Sequence, residues 1–273
     1  TKEGISMIDE EKNEIKTKQD YWVVKGNALI QQSRFSLSLI EQKTVAYICS
    51  MIKPATVETR SKICPDSPWQ LDYTFDIQTY CKICGIDWDN GGNYAYIKKT
   101  LQQLRNKSMW LSMSDGSEIL VGWLAKARTN KKSGVVTVRI DEDLAPYLFD
   151  LKKRFTQYQL FNILGMSSAF SIRLYELLKS YAFQKSVLFD IDELKNLLMV
   201  QDVKSYHRFP DFRRYVIEIA MREINEMTDL QISYETMTKG RKVIKIKFVL
   251  STKSPIEQVM AKKATQLRLE GID

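Results

Sequence analysis

His207 is the one histidine among 273 residues, so chemistry that needs two imidazoles is closed to this chain. That excludes H-E-x-x-H zinc peptidases, His-rich metal sites and the His-hydrophobe-His metal motif of strand-nicking enzymes. Cys81-Lys82-Ile83-Cys84 is a lone C-x-x-C that could be drawn with Cys49 and Cys64 as a four-thiolate zinc site. A second C-x-x-C is missing, and Cys49 falls on an apolar helical stripe where small apolar side chains belong. The pair sits late in a short helix, the wrong end for a redox dithiol. Asp141-Glu142-Asp143 has the acids of a metal-dependent nuclease, yet at a helix start such acids complement unpaired backbone N–H groups. No G-x-x-x-x-G-K-[ST] loop is present, which argues against a nucleotide-hydrolysing motor. Tyrosines are plentiful but lack the histidines that a nicking tyrosine needs. No catalytic residue, metal site or cofactor is expected, and the chain reads as a non-enzyme.

What remains is electrostatic recognition. Lys and Arg number 41 against 33 Asp and Glu, a net charge of +8 whose field attracts polyanions, nucleic acid first. Between Asn93 and Lys107, Ile97, Leu101 and Leu104 form an apolar stripe at helical spacing, leaving Lys98, Lys99, Gln102, Gln103 and Asn106 on the outer side. Gln and Asn can pair bidentately with adenine, and Lys or Arg with guanine, if such a helix enters a major groove. The basic loop Lys126, Arg128, Lys131 and Lys132 follows. A second helix, Asp211 to Met227, carries Arg213, Arg214 and Arg222, but Glu218, Glu223 and Glu226 share its exposed surface, so contact should concentrate at its N-terminal turn, near Lys204 to Arg208.

Lys239, Arg241, Lys242, Lys245 and Lys247 then place five cations in nine residues. Period two sends Lys245 and Lys247 to one face and Ile244, Ile246 and Phe248 to the core, a strip suited to phosphates or, more plainly, to a lysine-protected edge strand. Replacing Lys99 and Gln102 with Ala should weaken specific more than non-specific binding; replacing Lys245 and Lys247 should weaken both.

At roughly 100–200 residues per domain, the length suggests two domains, and 44% hydrophobic with 27% charged residues is ordinary globular composition. Residues 1–20 are too polar to fold alone and read as a flexible arm. Residues 35–52 predict a helix with one core-facing stripe (Leu37, Ile40, Val45, Ile48), residues 54–70 a proline-bearing loop, and Leu71, Tyr73 and Phe75 a strand leading into a helix capped by Asp76 and stopped at Gly85. Asp89-Asn90-Gly91-Gly92 is a turn, Asp115-Gly116 joins a hairpin, and Val135 to Ile140 is a further strand. Helix, strand, short helix, long helix, hairpin is the order of a winged helix. The order recurs: helix 168–183, strand 187–191, then the long helix and hairpin, with Phe189-Asp190-Ile191 echoing Phe75-Asp76-Ile77. Ile217, Ala220, Met221 and Ile224 match Ile97, Thr100, Leu101 and Leu104 at a constant offset of 120.

The expected class is therefore α+β: two tandem winged-helix domains related by an internal pseudo-repeat, over 21–150 and 151–252, with a charged tail at 253–273 that, after Ser254-Pro255, also reads as a surface helix. Residues 141–155 would form a helix and connector. No apolar run approaches the roughly 18–20 residues of a bilayer span and no signal peptide is visible, so a cytoplasmic protein with no membrane partner is expected. Four sparse cysteines fit a reducing compartment.

Phe155-Thr156-x-Tyr158-x-Leu160 followed by Ser167-Ser168-x-Phe170-x-Ile172-Arg173-Leu174-Tyr175-Glu176-Leu177-Leu178 resembles the central signature of the RepB-like plasmid replication initiators of theta-replicating plasmids. The resemblance extends through Tyr21 to Asn27, through Glu223-Ile224-Asn225-x-x-Thr228-Asp229-Leu230, and to the Lys239-Gly240-Arg241-Lys242 turn, covering about residues 20–250. Within the signature, Ile172, Leu174 or Tyr175 and Leu178 are core positions, and Arg173 and Glu176 are spaced to pair. The resemblance implies a bacterial origin-binding protein. Its monomers would bind direct repeats (iterons) in double-stranded plasmid DNA, help to open the duplex and recruit the host replication initiator and replicative helicase machinery. A homodimer, often formed through the first domain, would repress its own promoter at an inverted repeat. Both long helices would approach major grooves, placing Lys98, Lys99, Gln102 and Gln103, and Arg213, Arg214 and Arg222, at DNA. The alternative is a winged-helix transcriptional regulator without initiator activity.

Overall fold

Two three-stranded antiparallel sheets with one shared strand order organise the computed structural model, which describes residues 12–52, 69–86, 92–113, 115–149 and 151–271. In the first, β2 (Asp72–Asp76) pairs with β6 (Val135–Ile140), which pairs with β5 (Leu124–Asn130). In the second, β8 (Ser186–Asp190) pairs with β10 (Lys242–Thr252), which pairs with β9 (Leu230–Lys239). First strand beside last, and last beside middle, is the winged-helix sheet. The helices repeat as well: α2 (Leu39–Ser50), α3 (Ile77–Cys84) and α4 (Gly92–Asn106) in the first module answer to α6 (Ala169–Lys179), α7 (Ile191–Leu197) and the long helix α8 in the second. Helix α8 is continuous through Phe209–Phe212, one π turn at Arg213–Ile217, and Glu218–Met227.

Local chemistry sets the boundaries. Ser38 begins α2 with a capping box, its hydroxyl accepting from Glu41 N while its own N–H donates to the Glu41 carboxylate. Asp76 caps α3 through Thr79 N, and Gly85 ends it at φ +64°, the left-handed conformation favoured by glycine. Asp141 caps the short 3-10 helix Glu142–Tyr147.

Several expectations change. The helix expected over 35–52 starts at Leu39, and from Glu41 to Ser50 it is buried on every side rather than along one stripe. The reason is its position between the modules: Gln42 Nε2 donates to Ala169 O (2.8 Å), Lys43 Nζ to Leu164 O (2.5 Å), and Thr44 Oγ1 lies 2.6 Å from Tyr80 OH. Lys126 and Arg128, expected in a loop, stand on β5. That strand is exposed over most of its length and so lacks the apolar alternation that would reveal it. The hairpin expected at Asp115-Gly116 is a separate two-stranded sheet, β3 (Ser108–Ser112) with β4 (Glu118–Gly122), inserted before the wing β5–β6. Of the expected arm, residues 1–11 lie outside the described residues, but residues 12–19 are helical, and Gln19 Nε2 donates to Ile83 O (3.1 Å). The loop expected over 54–70, Cys64 and most of the Asp89–Gly92 turn also lie outside them.

The core is one continuous cluster spanning both modules. Part of the continuity comes from β1 (Trp22–Gly26), which pairs with β7 (Phe155–Gln159) across the boundary expected at residue 150; α1 (Asn27–Gln31) follows β1 and α5 (Phe161–Leu164) follows β7. The charged C-terminal segment, expected as a tail or surface helix, is the helix α9 (Pro255–Leu269), which packs with α5 and α8 and buries Ala261 and Thr265.

Candidate nucleic-acid interface

Helix α4 buries Ile97, Thr100, Leu101 and Leu104 and turns Lys98, Lys99, Gln102, Gln103 and Asn106 to solvent. Two bonds fix this helix to the wing: Arg105 Nε donates to Ala125 O (3.0 Å), and Tyr94 OH lies 2.9 Å from Thr129 Oγ1. Arg105, which the sequence reading passed over, is thus an exposed cation held at a defined place beside the predicted face. The wing carries Lys126 and Arg128 on β5 and Lys131 and Lys132 at its tip, all exposed. Asn130 Oδ1 accepts from Lys132 N (3.0 Å) and Ser133 N (3.4 Å), and Gly134 takes φ +67° to close the turn. Among the described residues none of Lys98, Lys99, Lys126, Arg128, Lys131 and Lys132 pairs with an acid, so this face is open positive charge beside amides.

In the second module α8 buries Phe212, Val216, Ile217, Ala220, Ile224 and Met227, leaving Arg213, Arg214 and Arg222 exposed. Arg213 Nε is 3.2 Å from Glu218 Oε1, across the π turn, and the Arg214 guanidinium sits 5.5 Å from the Tyr215 ring centroid. One acid expected on this surface is not there. Glu223 is fully buried, accepting from Ser167 N (2.9 Å), Ser168 N (3.3 Å) and the Ser167 hydroxyl, so it caps the start of α6. The periodicity of α8 alone could not separate this buried acid from Glu218 and Glu226, which are exposed.

At the second wing Lys239, Arg241 and Lys242 are exposed around Gly240. Lys245 and Lys247 are half-buried on β10, which is the central strand and not an edge. Lys245 Nζ lies 3.7 Å from Asp190 Oδ1, and Lys247 stands opposite Glu235, so their charge is partly compensated. The wing tip is the freer cationic feature.

The other chemical candidates resolve into packing. Cys81 and Cys84 are buried, and burial pushes their thiols up to about 11 and about 12, away from the thiolate that metal or redox chemistry requires. Asp141 accepts from Gly122 N (3.2 Å) and Asp143 N (3.2 Å), a structural cap. His207 is exposed, its Nε2 3.1 Å from Gln201 O. Arg173 and Glu176, expected to pair with each other, take separate partners: Arg173 Nη2 donates to Ser33 O (3.0 Å), while Glu176 accepts from Lys25 Nζ (2.7 Å) and Tyr158 OH. Among the described residues no helix is long and apolar enough to cross a membrane.

Comparison with known proteins points the same way. The family described as "Initiator Replication protein, WH1" matches residues 22–179, and "Initiator Rep protein, WH2" matches residues 190–250. A "Replication initiation protein" of Escherichia coli is 23% identical over 256 residues, 91% of this chain and 75% of the relative. The "PI protein" of Escherichia coli is 29% identical over 145 residues, 47% of each chain. The crystal structure of a Pi initiator protein in complex with iteron DNA superposes with a TM-score of 0.66 at 20% identity, covering 86% of this chain and 99% of that one.

Proposed function

The chain belongs to the initiator replication protein family, and on that premise we propose that it binds directly repeated duplex sites at a plasmid origin through α4 and α8, each laid in a major groove with its wing on the adjacent backbone. The observation that carries this reading is the repetition itself. Two modules of identical sheet order each present one long helix with an exposed polar, cationic side and one basic hairpin. Lys98, Lys99, Gln102, Gln103 and Asn106 read bases in the first module, with Lys126, Arg128, Lys131 and Lys132 on phosphates. Arg213, Arg214 and Arg222 act in the second, with Lys239, Arg241 and Lys242 at its wing.

Binding at the origin would promote duplex opening and bring in the host initiator and helicase machinery, in the bacterial cytoplasm and without strand cleavage by this chain. A homodimer would occupy an inverted repeat in its own promoter. The β3–β4 hairpin supports self-association, because Trp110 and Leu120 stand directly opposite each other, both more than half exposed. A nuclease footprint on the plasmid's own origin tests the reading. Protection of tandem direct repeats beside an A·T-rich stretch is expected, whereas protection confined to one promoter palindrome would favour a regulator. Incubating supercoiled origin DNA with the protein and Mg²⁺ or Mn²⁺ should leave it unnicked.

A further inference from the structure

Between α7, the start of α8 and the tip of the β9–β10 wing lies a cleft of about 480 Å³ lined by Lys195, His207, Arg208, Arg241, Lys242 and a single acid, Asp192. Lys195 forms its floor. The residue is 7% exposed, and among the described residues its ammonium donates to His207 O at 3.2 Å and lies 5.5 Å from the Phe212 ring centroid. An ammonium offers three donors, so two remain to be directed at a group in the cleft. Burial and the nearby charge of Lys242 both disfavour its protonated form, while Asp192 favours it. Arg208, Arg241 and Lys242 stand exposed at the rim, and among the described residues the ion pair Arg208 makes is a long one, with Asp211 (3.7 Å). Four basic side chains against one lining carboxylate describe a site arranged for an anion.

The repeat shows that the fold does not require this lysine. Lys195 stands four residues after Ile191, where the first module has Cys81 four residues after Ile77, a fully buried thiol. The cation replaces an apolar plug in an otherwise matching framework. The cleft also opens between the first turn of α8, at Phe209 and Pro210, and the wing tip at Arg241 and Lys242, the two elements that straddle a DNA strand in a winged-helix complex.

We propose that this cleft holds one phosphate group, a backbone phosphodiester of the bound duplex, with the Lys195 ammonium as its innermost contact. The identification of the phosphate as DNA rests on the function proposed above. The site would anchor the second module in register on the strand and carry no base information.

Affinity for the origin duplex measured against salt tests it. Lys195→Met keeps the apolar stem and removes one charge, so the slope of log K against log salt should become shallower by about 0.9, with affinity at low salt down by about ten-fold and discrimination against mismatched sites unchanged. Lys195→Arg should restore the slope. Single methylphosphonate substitutions along each strand should reveal one position that weakens the wild type and not Lys195→Met. A folded Lys195→Met with the wild-type slope and methylphosphonate profile overturns the proposal. Should that variant not fold, Arg241→Gln with Lys242→Gln at the exposed rim replaces it, and must lose sensitivity at that same phosphate. Wild-type protein that ignores origin DNA would instead overturn the function. The cleft is then judged on inorganic pyrophosphate: a thermal shift that Lys195→Met lacks supports a free phosphate ligand, and no shift overturns the site.

Discussion

Lys25 and Glu176, 151 positions apart in the chain, form a buried ion pair with Nζ 2.7 Å from Oε1. Lys25 comes from β1 and Glu176 from α6, so the pair fastens the β1–β7 ribbon to the first helix of the second module. Tyr158 OH donates to the same carboxylate, which leaves Glu176 well satisfied only while all three are in place. Removing one partner of such a pair strands a charge in the interior. Glu176→Gln should therefore lower unfolding free energy by about 3–5 kcal/mol in denaturant titration, whereas the double change Lys25→Met with Glu176→Leu recovers most of the loss. Equal midpoints for Glu176→Gln and wild type would show that the pair contributes nothing.

Glu223 and Glu226 lie one turn apart on α8 and should respond in opposite ways. Glu223 is buried and accepts from two backbone N–H groups at the start of α6, so Glu223→Gln costs about 1.5–3 kcal/mol of stability. Glu226 is exposed, as is Arg222 one turn before it, and on the proposed DNA-facing surface neutralising it would remove repulsion from phosphate. Glu226→Gln should leave the melting temperature unchanged and tighten DNA binding, most visibly at low salt. Tighter binding by Glu223→Gln in a fully stable protein would return that acid to the DNA-facing surface.

The parts of this architecture that follow local rules were legible in the sequence. The Phe-Asp-Ile echo and the offset of 120 in the long helices anticipated two modules, and the matching orders β2-β6-β5 and β8-β10-β9 bear that out. The outer face of α4 was also legible, because a strict apolar stripe leaves its remaining side chains no other place. What escaped notice depends on partners distant in the chain. Strand β5 buries little and carries no alternation, α2 is packed from two modules at once, and β1 finds β7 across most of the first module. Glu223 and Lys195 look like surface charges in sequence because nothing within their own helices announces the groups that cover them.

The proposed base-reading and phosphate-holding roles can be separated by their salt dependence. Lys99→Ala with Gln102→Ala should reduce affinity for the cognate repeat more than for random duplex. Lys239→Ala with Arg241→Ala should reduce both alike and make the salt slope shallower by roughly 2, one unit per lost phosphate contact. Lys245→Ala with Lys247→Ala should do less than the wing-tip pair, since Asp190 and Glu235 already offset those charges. Equal losses across cognate and random duplex for the α4 pair would remove that helix from the groove.

Stability should fall in alkali. Burial pushes the thiols of Cys49 and Cys81 up to about 11 and that of Cys84 up to about 12, and holds the phenols of Tyr80, Tyr158 and Tyr175 well above their ordinary value. In the unfolded chain the thiols ionise from about pH 9, so their contribution is complete below that pH and is lost as pH rises through the folded values. Arg173 has the opposite sign: burial lowers it to about 10, so its unfolded form binds more protons above that pH and its contribution rises. Burial lowers Arg34, Lys43, Lys195 and Lys253 in the same sense, but three thiols and the phenols of Tyr47, Tyr73, Tyr80, Tyr158 and Tyr175 outnumber them. The melting temperature should drop between about pH 9 and about pH 11, and Cys49→Ala with Cys81→Ala should flatten that drop.

Gly85 and Leu269 join the two ends of the fold. Gly85 closes α3 with φ +64°, and a Cβ built on it would collide with the Leu269 side chain at the end of α9. Helix α9 thereby reaches from the second module to the first. It is held along the way by Lys262 paired with Asp20 and 5.2 Å from the Phe161 ring centroid, and by Arg268 at 3.9 Å from Glu223. Gly85→Ala should cost about 1–2 kcal/mol for the left-handed backbone alone, with a further loss as Leu269 is displaced. Leu269→Ala relieves only the second part, so the double variant should be less destabilised than the sum of the singles. Amide exchange reports the location of the effect, with faster exchange at the C-terminal turns of α9 in Gly85→Ala and little change in α6. Strict additivity, or exchange that rises uniformly through the molecule, would mean that Leu269 does not couple α9 to the first module.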